Sequence, residues 1–98
     1  MDINIINGDK ITVELIGRLD TSSVEDFNEE IAEIISDDND VVFDCKELEY
    51  ISSSGLRSFL NAHKQLKALG GSLEVMNIQP AVKSVFDLTG FSVILKIS

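Results

Sequence analysis

Tyr50-Ile51-Ser52-Ser53-Ser54-Gly55-Leu56-Arg57 decides how this chain is read. Three hydroxyls in a row stand between an apolar, strand-like segment and a run in which Leu56, Phe59, Leu60 and Leu66 recur at helical spacing. The serines therefore fall at or just before a helix N-terminus. The first N–H groups of a helix lack intrahelical acceptors, and one serine side chain can supply one. A cap needs only one serine. Three of them followed by Gly55 predict a small, exposed turn open to close approach by another molecule. The helix dipole and the free N–H groups also favour a phosphate there.

Working upstream, Ile3 and Ile5, then Ile11, Val13 and Leu15, alternate with polar neighbours at the period of a half-buried strand. Asn7-Gly8 between them is a strong two-residue turn signal. An antiparallel hairpin over roughly residues 2–6 and 10–17 is expected. Thr21-Ser22-Ser23 opens a helix, with Ser22 and Glu25 at capping-box spacing. Val24, Phe27, Ile31, Ile34 and Ile35 give that helix an apolar face against an acidic one. Asp37-Asp38-Asn39-Asp40 ends it. Val41-Val42-Phe43 then reads as a short strand covered on both faces, and Asp44-Cys45-Lys46 as a loop anchored by Leu48 and Ile51.

Downstream, the serine-led helix runs to about Leu69 and stops at Gly70-Gly71, with Lys64 and Lys67 in its last turns. Leu73 and Val75 mark another strand. Pro80 suits the first position of a third helix carrying Val82, Val85, Phe86 and Leu88, and Gly90 suits its C-cap. Phe91, Val93, Ile94, Leu95 and Ile97 suggest a final edge strand. Helices alternating with strands after a hairpin predict a single α/β domain over residues 1–98. Its mixed sheet would have a parallel portion joined by right-handed crossovers.

Composition bounds the function. The chain has 98 residues, enough for one modest core, and a net charge of −9, which argues against binding nucleic-acid phosphates. Cys45 is the single cysteine, so no internal disulfide forms and a reducing, cytoplasmic setting is expected. No apolar run is long enough to span a bilayer, and no membrane insertion is expected. His63 is the single histidine. Ten helical residues place it about 15 Å from Ser53, too far for a Ser–His pair. Cys45 reads as a buried, inert thiol, and Gly70-Gly71 lacks the Lys-Ser/Thr of a nucleotide loop. No catalytic residue, metal site or cofactor is expected. Binding remains. Asp20 and Thr21 leave one strand and Asp44 another. They serve as turn and cap residues or, if they converge on the serines, as an acidic rim.

In four places the sequence resembles the anti-sigma factor antagonists of the STAS domain family. These are Gly17-Arg18-Leu19-Asp20, Val41-Val42-Phe43-Asp44, Tyr50 through Leu56, and Leu88-Thr89-Gly90-Phe91. The resemblance covers essentially the whole length and implies a single STAS-like α/β domain. In that family the serine two places before the glycine accepts phosphate from a partner kinase that is also the anti-sigma factor. Here that residue is Ser53; Ser52 stands where the family often has Asp. The resemblance implies a protein that is not an enzyme. Unphosphorylated, it would bind an ATP-binding anti-sigma factor serine kinase and thereby regulate sigma-factor-dependent transcription. Phosphorylation would release it, and a serine phosphatase would restore it. Partner contacts are expected from Asp20, Thr21, Ser52, Ser53, Ser54, Gly55, Leu56 and Arg57. The competing expectation is a non-switching STAS accessory module of a transport or signalling complex. A hydrolase using Ser53 is the third and lacks a base.

Overall fold

The computed structural model describes residues 1–35 and 40–97. Two strands, β1 (Asp2–Ile6) and β2 (Ile11–Leu19), form the antiparallel hairpin. Helix α1 (Val24–Ile34) leads to β3 (Asp40–Ile51), helix α2 (Ser53–Ala68) to β4 (Ser72–Met76), and helices α3 (Pro80–Thr89) and α4 (Phe91–Ile94) to β5 (Lys96–Ile97). The strands lie side by side in chain order, with every pair after the hairpin parallel. The expected hairpin-opened mixed sheet is what forms. The turn expected at Asp37-Asp38-Asn39 lies outside the described residues.

A sheet that grows in one direction through crossovers of one hand receives its helices on one face. The aromatic residues show this directly. Phe43 at the middle of the sheet packs edge-on against Phe27 of α1 at 5.7 Å and Phe59 of α2 at 4.9 Å. Phe59 also meets Phe86 of α3 at 5.8 Å. Val13, Leu15, Leu48, Leu66, Leu73 and Val75 fill the space around the rings. Val41 and Phe43 belong to the core under the helices, and Val42, on the other face of the strand, is buried as well at 6% exposure, so this stretch of β3 is covered on both faces as expected.

The largest departure from expectation is the length of β3. The stretch read as a loop, Asp44 to Ile51, is strand. The β2–β3 register slips twice, because β3 spends three residues against two between Glu14 and Ile16, and two against one between Gly17 and Arg18. Each slip inserts an extra residue in β3 and moves its inward positions on by one. The buried residues accordingly fall at Cys45, Leu48 and Ile51, a spacing of three that does not look like a strand.

Smaller corrections follow from local chemistry. The Asn7-Gly8 turn is wider than two residues, with Ile6 opposite Thr12, and Gly8 is not left-handed as a type I′ turn demands. The Ser22–Glu25 capping box does not form. Ser23 is the N-cap position, and the Asp20 carbonyl accepts from the N–H groups of Ser23 and Val24 instead. The segment read as a final strand is mostly helical: α4 takes Phe91–Ile94, leaving two residues for β5. Pro80 and Gly90 act as expected, the latter left-handed at φ 78°.

Candidate functional site

Parallel strands that end together place residues at equal offsets side by side. Leu19 pairs with Ile51, and the Ser52 N–H donates to the Leu19 carbonyl at 2.9 Å. Asp20 and Ser52 thus leave the sheet as neighbours, and α2 starts there. The Ser52 hydroxyl accepts from the Gly55 N–H at 3.2 Å, and its carbonyl takes the Leu56 N–H at 3.0 Å. Ser52 is the N-cap. The Ser54 hydroxyl lies 2.9 Å from that of Ser52. Ser58 closes the turn by donating to the Ser54 carbonyl at 3.2 Å.

Ser53 is left. It occupies the first helical position and is exposed, while Ser52 and Ser54 are half-buried. The hydrogen bonds of the turn run through the other serines. The N–H groups of Ser53 and Ser54 have no acceptor within the helix, so the turn presents donors and the positive end of the dipole beside a free hydroxyl.

The glycine and leucine pack into the core. A Cβ on Gly55 would stand 2.9 Å from Ile51 Cγ1 and 2.9 Å from Leu19 Cγ, so Gly55 lets the helix start lie against the sheet rather than admitting a partner. Leu56 is buried in the same core. Both residues are buried, whereas partner contacts were expected from them. Arg57 and Thr21 are exposed. Arg57 lies one turn beyond Ser53 on α2.

Asp20 is fixed beside the turn. Its carboxylate accepts from the Ser22 hydroxyl at 2.7 Å, the Ser22 N–H at 3.1 Å and the Ser23 hydroxyl at 3.3 Å. The Ser22 hydroxyl above all holds the carboxyl below the usual range. Arg18 reaches Asp20 at 3.8 Å, and its guanidinium lies 4.3 Å from the centre of the Tyr50 ring. Arg18 and Tyr50 were not among the residues expected at the site. Their signal was available: each precedes by two the residue that leaves the sheet, Asp20 or Ser52, and the two are cross-strand partners.

Asp44 does not join this rim. It sits within β3 between Glu14 and Met76, about 20–25 Å of strand before Ser52, and accepts from Lys46 N–H and Asn77 Nδ2. Cys45 is wholly buried, and burial pushes its thiol up to about 12. Among the described residues no three His, Cys, Asp or Glu side chains converge as metal ligands. No described helix is long and apolar enough to cross a membrane.

A hairpin-opened mixed sheet that carries a helix N-terminus at the end of its central strand defines a class of α/β domain. The family model for the STAS domain matches residues 1–98, and the chain belongs to that family. The anti-sigma-B factor antagonist of Bacillus subtilis is 31% identical over 101 residues, covering 100% of this chain and 93% of that protein. BtrV of Bordetella bronchiseptica is 36% identical over 88 residues, covering 85% and 76%. The anti-sigma factor antagonist SpoIIAA shares the fold in an unphosphorylated and a phosphorylated form. The unphosphorylated form gives a TM-score of 0.80 at 20% identity, covering 99% of this chain and 88% of that one. The phosphorylated form gives 0.72 at 21%, covering 99% and 89%.

Proposed function

We propose that the protein is an anti-sigma factor antagonist that works as a phosphorylation-controlled partner. Unphosphorylated, it docks through the Ser53 turn on an anti-sigma factor that is also an ATP-dependent serine kinase. Transfer of phosphate to Ser53 ends the complex, and a serine phosphatase resets it. The observation that carries this reading is the division of labour among the serines. Ser52 caps the helix, so Ser53 is free of structural duty and open to solvent.

The same observation accounts for Ser52 standing where the family often has Asp. Ser and Asp are comparable N-caps, so the exchange keeps the helix start while removing a charge beside the acceptor. The docking surface comprises Ser53, Thr21, Arg57, and the Arg18–Asp20–Tyr50 group, whose mutual contacts hold its charges in fixed positions.

Phosphorylation adds about −1.5 to −2 charges and three acceptor oxygens. At the first position of α2 those oxygens find the free N–H groups and the positive dipole end, so the fold accepts them. Across a docked interface the added volume, hydration and repulsion from partner acids cost several kcal/mol. Each 1.4 kcal/mol is tenfold in affinity, enough to dissociate a micromolar complex. The names of the relatives and the two phosphorylation states of SpoIIAA support the reading. Incubation with the cognate kinase and ATP, followed by intact mass and peptide mapping, tests it. One phosphate on Ser53, and none on Ser53→Ala, is expected. Stable docking with no transfer would leave the accessory-module reading in its place.

A further inference from the structure

At the far end of α2 from the serines, a groove of about 430 Å³ lies between that helix and α4. Its lining is Leu60, His63, Lys64, Lys67, Ala68 and Ile94. A second hollow of about 230 Å³ shares His63, Lys67 and Ile94 and runs on to Leu73 of β4. The walls are aliphatic and the rim is cationic, on a chain whose net charge is −9.

Among the described residues neither Lys64 nor Lys67 has an ion-pair partner, so both ammonium groups are available at the rim. Lys67, in the last turn of α2, offsets the negative end of the dipole. Lys64 lies a turn earlier, where that effect has faded. His63 lines both hollows, so its imidazole reports on whatever occupies them.

We infer that this groove binds a small amphipathic anion: a single carboxylate held at the Lys64–Lys67 rim, with an aliphatic body laid along Leu60, Ala68 and Ile94. The charge selects an anion and the walls select an apolar body. A volume within the usual range of small-molecule sites, about 300–1,000 Å³, selects a compact ligand. A protein partner or a second copy of this chain needs about 20–30 residues on each side, far more than the groove offers. The groove lies about 10–20 Å along α2 from Ser53, so this site stands or falls independently of phosphorylation there.

Titration of the intact protein with octanoate, followed by the imidazole NMR signals of its single histidine, tests the inference. A saturable shift of the His63 signals is expected, with neutral octanol binding several-fold more weakly. The double variant Lys64→Gln/Lys67→Gln changes only exposed side chains and should bind octanoate about tenfold more weakly, with melting within a few degrees of wild type, the small loss coming from the dipole that Lys67 offsets. Ile94→Asp should weaken binding independently by removing an apolar wall. Three results would each overturn the proposal. These are no saturable shift with octanoate, equal binding of octanoate by the lysine variant, or His63 shifts that follow protein concentration alone, which would make a second copy the occupant.

Discussion

Replacing Gly55 with alanine separates packing from access at the serine turn. The added methyl would meet Ile51 Cγ1 and Leu19 Cγ at 2.9 Å and Leu19 Cδ2 at 3.1 Å. Comfortable carbon contacts lie at about 3.5–4.0 Å, so something must give by roughly half an ångström or more. Leu19 is fully buried and Ile51 nearly so, and the nearest Leu19 atom is its branch point rather than a free end. Overpacking of this kind costs about 1–3 kcal/mol. Alanine regains up to about 1 kcal/mol of helix propensity at a helical position. The net expectation is a loss of about 1–2 kcal/mol, or a fall in Tm of roughly 5–15 °C for a domain of this size. Thermal and urea unfolding followed by circular dichroism would show it, with the urea slope unchanged. If Gly55→Ala melts at or above wild type, the packing argument is wrong. If it keeps its Tm and loses only kinase binding, Gly55 serves access after all.

Further expectations follow from the same geometry. Ser52→Ala should cost about 1 kcal/mol by removing the cap, whereas Ser53→Ala should stay within about 0.5 kcal/mol of wild type; equal losses in urea titrations would contradict the division of labour among the serines. Phe59→Ala removes the ring shared by Phe27, Phe43 and Phe86 and should cost about 3–5 kcal/mol by the same assay. Cys45 should resist iodoacetamide in the native protein and react once urea unfolds it. Its thiol is raised from 9.0 to about 12 in the fold, so the unfolded chain loses this proton first. Stability tied to Cys45 is therefore complete below pH 9 and falls at about 1.4 kcal/mol per pH unit between pH 9 and 12. A Cys45→Ala variant should lack that slope.

Much of the fold was legible because one periodicity governed each element. The hairpin alternates, the faces of α1 and α2 recur at helical spacing, and Pro80 and Gly90 punctuate α3. The reading failed where two effects overlapped. In β3 the twofold alternation is broken by the two extra residues, so Cys45, Leu48 and Ile51 showed a spacing that belongs to no regular element. Asp44 is misplaced for the same reason: from its neighbours it reads as a strand end, whereas its strand runs on to Ile51. At the turn, composition identified the serines, but only register could rank them. Which one caps depends on where β3 stops, and the pairing of Leu19 with Ile51 sets that point. Gly55 was ambiguous for a related reason, since a glycine needed for packing and one needed for access look alike until the Leu19 and Ile51 side chains are in place.

The central claim is that charge on Ser53 controls docking while the scaffold stays unchanged. Paired measurements of Tm and kinase affinity on wild type and Ser53→Asp test it most directly. The account predicts melting within a few degrees of wild type and binding at least tenfold weaker, a change of about 1.4 kcal/mol. A variant that binds the kinase as tightly as wild type, or one that loses binding only because it has unfolded, would contradict it.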